Sequence, residues 1–381
     1  MSESIVEPQQ AEEPQVVEQL TTAIQPLMRL TTVQIARGKG KPTVEFVGEV
    51  YNPENEAAFR SLLARFEALG YLPLLSKRKD VHVLQALPHV VDRRTGKPWV
   101  NALLFILTAL SVMYIGALQQ GADIKADWRT LALGLPHAAT LLSILTVHEF
   151  SHYLAARRYG APVSLPYFAP IPVPPLGTMG AVIVQKSPLL NRKAVFDLGV
   201  SGPLGGLIVA IPLLILGLLL SKVEPLPVGV SYTMEGNSIF YYFIKWVIFG
   251  QSLPSGGVDV MLHPIAFAAW AGLLVTGLNL LPVGQYDGGH IAYAMWGPKA
   301  WLVARGVVVA MFVWAAILLF TGNSIGTTWA LLGALGFTMG ARHPAPLDDV
   351  TPLDSTRKYI GWAVIVLLIL ILVPIPLTVV P

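Results

Sequence analysis

The chain has 381 residues, of which 54% are apolar and 13% charged, and its mean hydropathy is +0.59. Soluble globular domains carry about 25% charged residues, so this composition excludes an ordinary globular protein and points to a membrane protein with a polar appendage. The net charge of +3 averages two unlike regions and gives no argument for nucleic-acid binding; without cysteine there is no disulfide, thiolate metal ligand or cysteine nucleophile.

Residues 1–20, beginning MSESIVEPQQAEEPQ, read as a disordered acidic tail and lack the basic and apolar segments of a signal peptide. Residues 21–95 read as a small soluble α+β domain. Within it TVEFVGEV (43–50) has strand character, and residues 52–70 read as a helix. That helix has Asn52 as N-cap, Pro53 in its first turn, a Phe59, Leu62, Leu63, Phe66, Leu69 stripe, and Gly70 as its stop. YLPLL and DVHVLQAL supply further strands, and the basic stretch from Lys77 to Lys97 leads to the membrane.

Residues 96–381 read as a polytopic α-helical membrane domain with its core at 128–296. Apolar runs at 99–119, 131–157, 197–220, 262–282, 300–320, 325–341 and 359–379 predict about six to eight transmembrane helices. SIFYYFIKWVIFG (238–250) reads as a half-span or interfacial helix. With the N-terminal domain inside, about 21 of the 26 Lys and Arg residues fall on the inner side. The N-terminus is therefore expected on the cytoplasmic side, or its matrix or stromal equivalent, of a multi-pass protein in a bacterial inner membrane.

One segment breaks the helical pattern. APVSLPYFAPIPVPPLGTMGAVIVQKSP (161–188) is apolar, but Pro162, Pro166, Pro170, Pro172, Pro174 and Pro175 exclude a helix, and GAVIV reads as strand. Non-helical backbone at membrane depth needs protein or a water-filled cavity around it, so a re-entrant β-hairpin or strand beside a site is expected. An ordinary Pro-rich inner loop is the alternative.

The chemistry sits in LTVHEFSHYLAARRYG (145–160). On a helix His148 and His152 share a face and can aim at one ion, while Glu149 projects about 100° round and is free to act on water. Zinc needs three protein ligands and an open position for water; it lowers the pKa of that water to about 7, and a carboxylate can take its proton. A carboxylate at mid-span costs about 2.5–3.5 kcal/mol, which makes an intramembrane acid a functional hypothesis by default. With Arg157 and Arg158 at the inner surface, His152 lies roughly 7 Å deep by helix rise, so water is expected to enter from the inner side.

A third ligand has to lie at the same depth. HPIAFAAWAGLLVTGLNLLPVGQYDGGH runs inward to Pro282 and offers Asp287 and His290. Asp287 is favoured because a carboxylate balances charge and Gly288 and Gly289 let backbone approach the metal. His290 is the other ligand choice, or a group that binds the substrate carbonyl. Asp197, His137 and His263 are rivals by residue type, the two histidines at the wrong depth. Asn279, inside an apolar run, either stabilises an oxyanion or extended substrate or bonds a neighbouring helix. SGPLGG (201–206) allows a close helix crossing and a kink.

HEFSH, GTMGA (177–181), GPLGG (202–206) and NLLPVGQYDGG, taken in order, resemble the site-2 protease family of intramembrane zinc metalloproteases, peptidase family M50. The wording PVGQYDGGH is most similar to the cyanobacterial, chloroflexal and plastid branch. The resemblance spans roughly residues 100–340. It implies one Zn2+ per chain on His148, His152 and Asp287, with Glu149 as general base. It also implies hydrolysis in transmembrane or membrane-proximal segments of membrane proteins, as part of regulated intramembrane proteolysis in which another protease cuts first. A strand near 177–186, including Gly177, Thr178, Met179 and Gly180, would receive the unwound substrate by edge pairing. The competing classes are a transporter with an intramembrane ion path and a catalytically inactive relative. A transporter predicts inverted repeats, which the two polar sites do not form, and all four chemical positions are present.

Overall fold

The structure, a computed structural model, describes residues 8–36, 41–89, 96–227, 229–338 and 343–380. It separates into two compact units. The first comprises Met1–Arg94, Lys186–Val195 and Pro344–Asp354, and the second Thr95–Gln185, Phe196–His343 and Ser355–Pro381.

In the first unit, helices α1 (Pro8–Ile24) and α2 (Glu56–Ala68) accompany an antiparallel sheet of β1 (Met28–Ala36), β2 (Thr43–Val50), β3 (Tyr71–Arg78) and β4 (Val81–Pro88) in the order β1-β2-β4-β3. Every second residue of β2 is buried (Val44, Phe46, Gly48, Val50), as expected of a strand with one covered face. Much of the stretch expected to be disordered is helical instead, because Leu20, Ala23 and Ile24 recur at helical spacing and are buried. Residues 1–7 of that stretch lie outside the described residues. β1 was not anticipated, since residues 31–36 are exposed and carry no alternating burial. The cap of α2 is Asn55, whose side chain accepts from Ala58 N at 3.1 Å, and not Asn52. Asn52 accepts from Glu54 N at 3.0 Å, closing a turn that places Pro53 ahead of the helix. Phe59, Leu62 and Phe66 are buried, and Gly70 (φ 79°) follows the helix end in the left-handed region.

Two segments that the sequence assigns to the membrane domain belong to this first unit. Leu75 of β3 accepts from Asp349 N (2.9 Å) and donates to Leu347 O (2.7 Å). Leu347 and Asp348 in turn donate to Leu189 and Leu190, both at 2.9 Å, so the edge of β3 is continued by two short extended pieces.

The second unit is mostly helical. Four stretches are long and apolar enough to cross a membrane: α3 (Pro98–Gln119), a 3-10 turn running into α4 (Trp128–Arg158 together, α4 being Leu135–Arg158), α5 (Arg192–Leu219), and Asp287–Phe320, which holds α8 (Asp287–Trp296) and α9 (Ala300–Phe320). α6 (Ile239–Phe249), α7 (Pro264–Asn279) and α10 (Ile325–Thr338) are shorter apolar helices. α11 (Ser355–Ile371) ends well before 379, because Pro374 and Pro376 cannot continue it; β10 (Leu377–Val380) then pairs with β8 (Tyr232–Glu235). β7 (Lys222–Pro225) pairs with β9 (Val258–Met261).

The Pro-rich segment forms an antiparallel hairpin of β5 (Tyr167–Pro170) and β6 (Thr178–Val182). α3 holds it at three levels. Asn101 Nδ2 donates to Leu165 O and Pro166 O (3.0 and 2.9 Å), Ser111 Oγ to Gly177 O (2.6 Å) and Gln119 Nε2 to Pro175 O (2.8 Å). Gly177 is required there twice over, by φ 78° and because a Cβ would stand 2.8 Å from Val112 Cα.

Candidate metal centre

One helical turn of α4 presents His148 and His152, both buried, to the first residue of α8, Asp287. His148 Nε2 lies 3.2 Å from Asp287 Oδ2, His152 Nε2 lies 3.1 Å from Oδ1, and the two Nε2 atoms are 3.1 Å apart. Leu198 O, which can only accept, stands 2.8 Å from His152 Nδ1, so Nδ1 carries the proton and Nε2 turns a lone pair toward the other donors. Electron-rich atoms thus converge, and Asp287 Oδ2 is buried without a hydrogen-bond partner. A tetrahedral ion about 2.0–2.1 Å from each donor would separate them by about 3.3 Å, close to what is seen, so the three side chains fit one small cation. Among the described residues, this is the group of side chains able to hold a metal ion. Glu149 is also buried, on the neighbouring face of α4, and its carboxylate meets the backbone amide of Ile183 just past β6.

α5 makes this assembly possible. A Cβ at Gly199 would be 2.7 Å from His290 Cβ and 2.9 Å from Asp287 O, one at Gly202 would be 2.0 Å from His152 Nε2, and one at Gly206 would be 3.3 Å from His148 Nδ1. At spacings of three and four these glycines line one face of α5, against which the helices carrying His148, His152 and Asp287 close. The Gly288-Gly289 pair has another role than the expected approach to metal. A Cβ there would stand 1.9 Å from Leu280 O or 2.3 Å from Gly284 O, so these glycines seat α8 on the turn that follows α7.

The remaining candidates are distributed as follows. His290, one turn beyond Asp287, brings Nδ1 within 2.5 Å of Nε2 of His343, whose ring stacks on Tyr293. His343 was missed, because it stands alone in the loop after α10 with no spacing signal. His137 stacks on Phe267, and His263 caps α7 by accepting from Ile265 N at 3.3 Å; neither joins the triad. Asp197 is engaged elsewhere: it accepts from Arg357 Nε and Nη2, both at 2.7 Å, and from Tyr159 Oη at 2.6 Å. Burial and then the Asp197 carboxylate push the Tyr159 hydroxyl up to about 12, so it remains a donor. Asn279 closes α7, half-buried, and no hydrogen bond of its side chain reaches the triad among those described. Thr178 Oγ1 bonds Ala169 O at 2.8 Å across the hairpin, Gly180 has φ 94°, and Met179 is 75% exposed.

Helices of membrane-spanning length around a buried His-His-Asp cluster define the class as integral-membrane and metal-binding in design. Residues 136–321 match the model of peptidase family M50. It is similar to "Probable zinc metalloprotease EGY2, chloroplastic" of Arabidopsis thaliana, 30% identical over 301 residues, covering 75% of this chain and 52% of that protein. It is likewise similar to "Probable zinc metalloprotease EGY1, chloroplastic" of the same plant, 32% identical over 258 residues (66% and 45%). "Probable zinc metallopeptidase EGY3, chloroplastic", also from Arabidopsis thaliana, is 31% identical over 310 residues (74% and 50%). The chain spans about half the length of the curated relatives it matches. No solved structure matches.

Proposed function

We propose that the chain is an intramembrane zinc endopeptidase of the site-2 type, cutting peptide bonds in or beside the membrane-spanning segments of other membrane proteins. The observation that carries this reading is the convergence of His148 and His152, on a helix long and apolar enough to cross a membrane, with Asp287 at the start of α8, and with Glu149 beside them. His148 and His152 through Nε2 and Asp287 through its carboxylate would hold one Zn2+, which supplies the Lewis acidity that makes water a nucleophile near neutral pH. Glu149 then takes a proton from the attacking water and hands it to the leaving amide nitrogen. Leu198 O holds the imidazole of His152 in one tautomer throughout.

The hairpin supports a substrate role for Gly177, Thr178, Met179 and Gly180. β6 pairs with β5 on one edge only among the described residues, and the chain just past it meets Glu149. An unwound substrate strand could add to its other edge with its scissile bond near the general base. Asn101 and Gln119 grip the hairpin 18 residues apart on α3, about 27 Å at helix rise, close to the thickness of a bilayer core; this supports a re-entrant hairpin. Counting α7, α10 and α11 with the four long segments gives seven spans. The basic inner loops support a cytoplasmic or stromal-type location for the N-terminus and the mouth of the site, in a bacterial inner membrane on the simplest reading. Asn279 and His290 are proposed to face the substrate carbonyl. A substrate already cut once by another protease suits a site closed in by helices.

The test is Glu149→Gln in the full chain, with a membrane-spanning reporter. It is expected to retain one zinc per chain and to lose turnover by on the order of 10²–10⁴-fold. Undiminished cleavage would overturn the assignment.

A further inference from the structure

The end of α4 and the starts of α5 and α11 meet at one carboxylate. Asp197 takes two parallel bonds from Arg357, Nε to Oδ1 and Nη2 to Oδ2, while Tyr159 donates to Oδ2 and stands 3.3 Å from Arg357 Nη2. Two-point guanidinium pairing fixes direction as well as distance. Tyr159, the residue that ends α4, follows His152 by seven residues and so stands about two turns beyond it on the same side. Asp197 immediately precedes Leu198, whose carbonyl receives the Nδ1 proton of His152. α4 and α5 are therefore pinned at two places, Tyr159 to Asp197 and His152 to Leu198.

α5 has a weak point beside this pin. Pro203 has no N–H to give to Gly199 O, and Gly199 and Gly202 present no side chain that would lock the helix to its neighbours. The turn bearing Leu198 lies just before that weak point; Ser201 Oγ also donates to Leu198 O at 2.8 Å, and the bonds to Asp197 fix where this turn stands against α4.

We infer that Asp197 is a positioning residue for the metal centre: held by Arg357 and Tyr159, it sets the α4–α5 register so that Leu198 O orients His152 toward the other two donors. The inference rests on the peptidase reading above and extends it to a carboxylate that touches neither metal nor substrate.

The experiment uses the purified full chain with zinc and, separately, with cobalt(II) in its place. Asp197→Asn, Asp197→Glu, Arg357→Lys and Tyr159→Phe are compared by zinc dissociation to a chelator, by the cobalt absorption spectrum, and by thermal unfolding of metal-stripped protein. Asp197→Asn is expected to release zinc about tenfold faster or more and to shift the cobalt bands, with metal-stripped unfolding close to the parent. Asp197→Glu is expected to restore much of the parental rate. Parental zinc dissociation and an unchanged cobalt spectrum in Asp197→Asn would overturn the inference and leave Asp197 as a helix staple. Should that variant not fold, Arg357→Lys and Tyr159→Phe are expected to release zinc faster than the parent, and parental behaviour in both overturns it equally. Failure of the parent to bind one metal ion would instead strike the peptidase reading itself, and the two failures are therefore distinguishable.

Discussion

Adding a methyl group at Gly202 sets two effects of opposite sign against each other. In a helix interior, Gly→Ala ordinarily stabilises by about 1 kcal/mol through backbone entropy. Here the new Cβ would stand 2.0 Å from Nε2, 2.4 Å from Cε1 and 2.6 Å from Cδ2 of His152. To reach the 3.4 Å of ordinary contact the ring has to withdraw by about 1.4 Å, in an interior with no slack. Its Nδ1 is tied to Leu198 O and its Nε2 is 3.1 Å from both His148 and Asp287, so withdrawal breaks the ligand set. A misplacement of about 1 Å in such a constellation costs on the order of 10²-fold in rate. Gly202→Ala is therefore expected to fold with an unfolding midpoint near the parent, to bind zinc at least tenfold more weakly, and to cleave a membrane-spanning reporter about 10²-fold more slowly. Gly206→Ala, in the same motif, meets His148 Nδ1 at 3.3 Å and its Cβ at 3.4 Å, and is expected to stay within a few-fold of the parent. Zinc content by elemental analysis and reporter turnover on both variants decide the matter. Parental values for Gly202→Ala, or equal losses in the two, would refute the glycine-cradle argument.

Two further outcomes follow from buried polar groups. Asn101→Leu strips the donor from Leu165 O and Pro166 O while keeping the branched side-chain shape, at about 1–3 kcal/mol for each group left unpaired. Limited proteolysis should then cut faster between 165 and 177, and an unchanged digestion rate would show that the hairpin does not depend on α3. Asp348 is pushed up by burial, partly offset by bonds from Thr351 and from the Val350 amide. An acid raised in the folded state lends stability at low pH that is lost as pH rises through its folded value. Asp348→Asn should therefore flatten the fall in unfolding midpoint as pH rises above the ordinary carboxylate range, and parallel curves for parent and variant would contradict this.

Much of the architecture was legible because it rests on local rules. The apolar runs gave α3, α4, α5 and α9 within a few residues of their bounds, and the four-residue spacing of His148 and His152 needed only helix geometry to become half of a site. The third member was reachable as well, since Asp287 and His290 follow shortly after the end of an apolar helix. What stayed hidden depends on contacts between residues remote in sequence. Asp197 pairs with Arg357 across 160 positions, and His290 with His343 across 53, and no periodicity marks either pair. The continuation of the β3 edge by residues 347–349 and 189–191 was invisible for the same reason. Short extended pieces without alternation read as loops until a neighbouring edge is known.

A carboxylate in the place proposed for the third donor suits where the site lies. Glu149 and Asp287 bring two negative charges into a place that is buried on all sides, and ionised groups there are tolerated when they are paired or bind a metal. A dication on two neutral imidazoles and Asp287, with Glu149 beside it, makes the whole constellation electrically neutral. A third histidine would leave it one charge positive. The protein's stability should accordingly depend on the ion. Binding to the folded chain alone stabilises by RT ln(1 + [L]/Kd), about 4.1 kcal/mol at a free concentration one thousand times Kd. Removal of metal from the parent by a chelator is therefore expected to lower its unfolding midpoint by several degrees, with recovery on adding zinc back. In Glu149→Gln the zinc-loaded site lacks the carboxylate that completes the charge balance of the dication, so the ion stabilises it less and its midpoint should fall less on stripping. Equal losses in the two proteins would show that Glu149 is not close enough to the ion to share its charge, and would remove it from the part of general base.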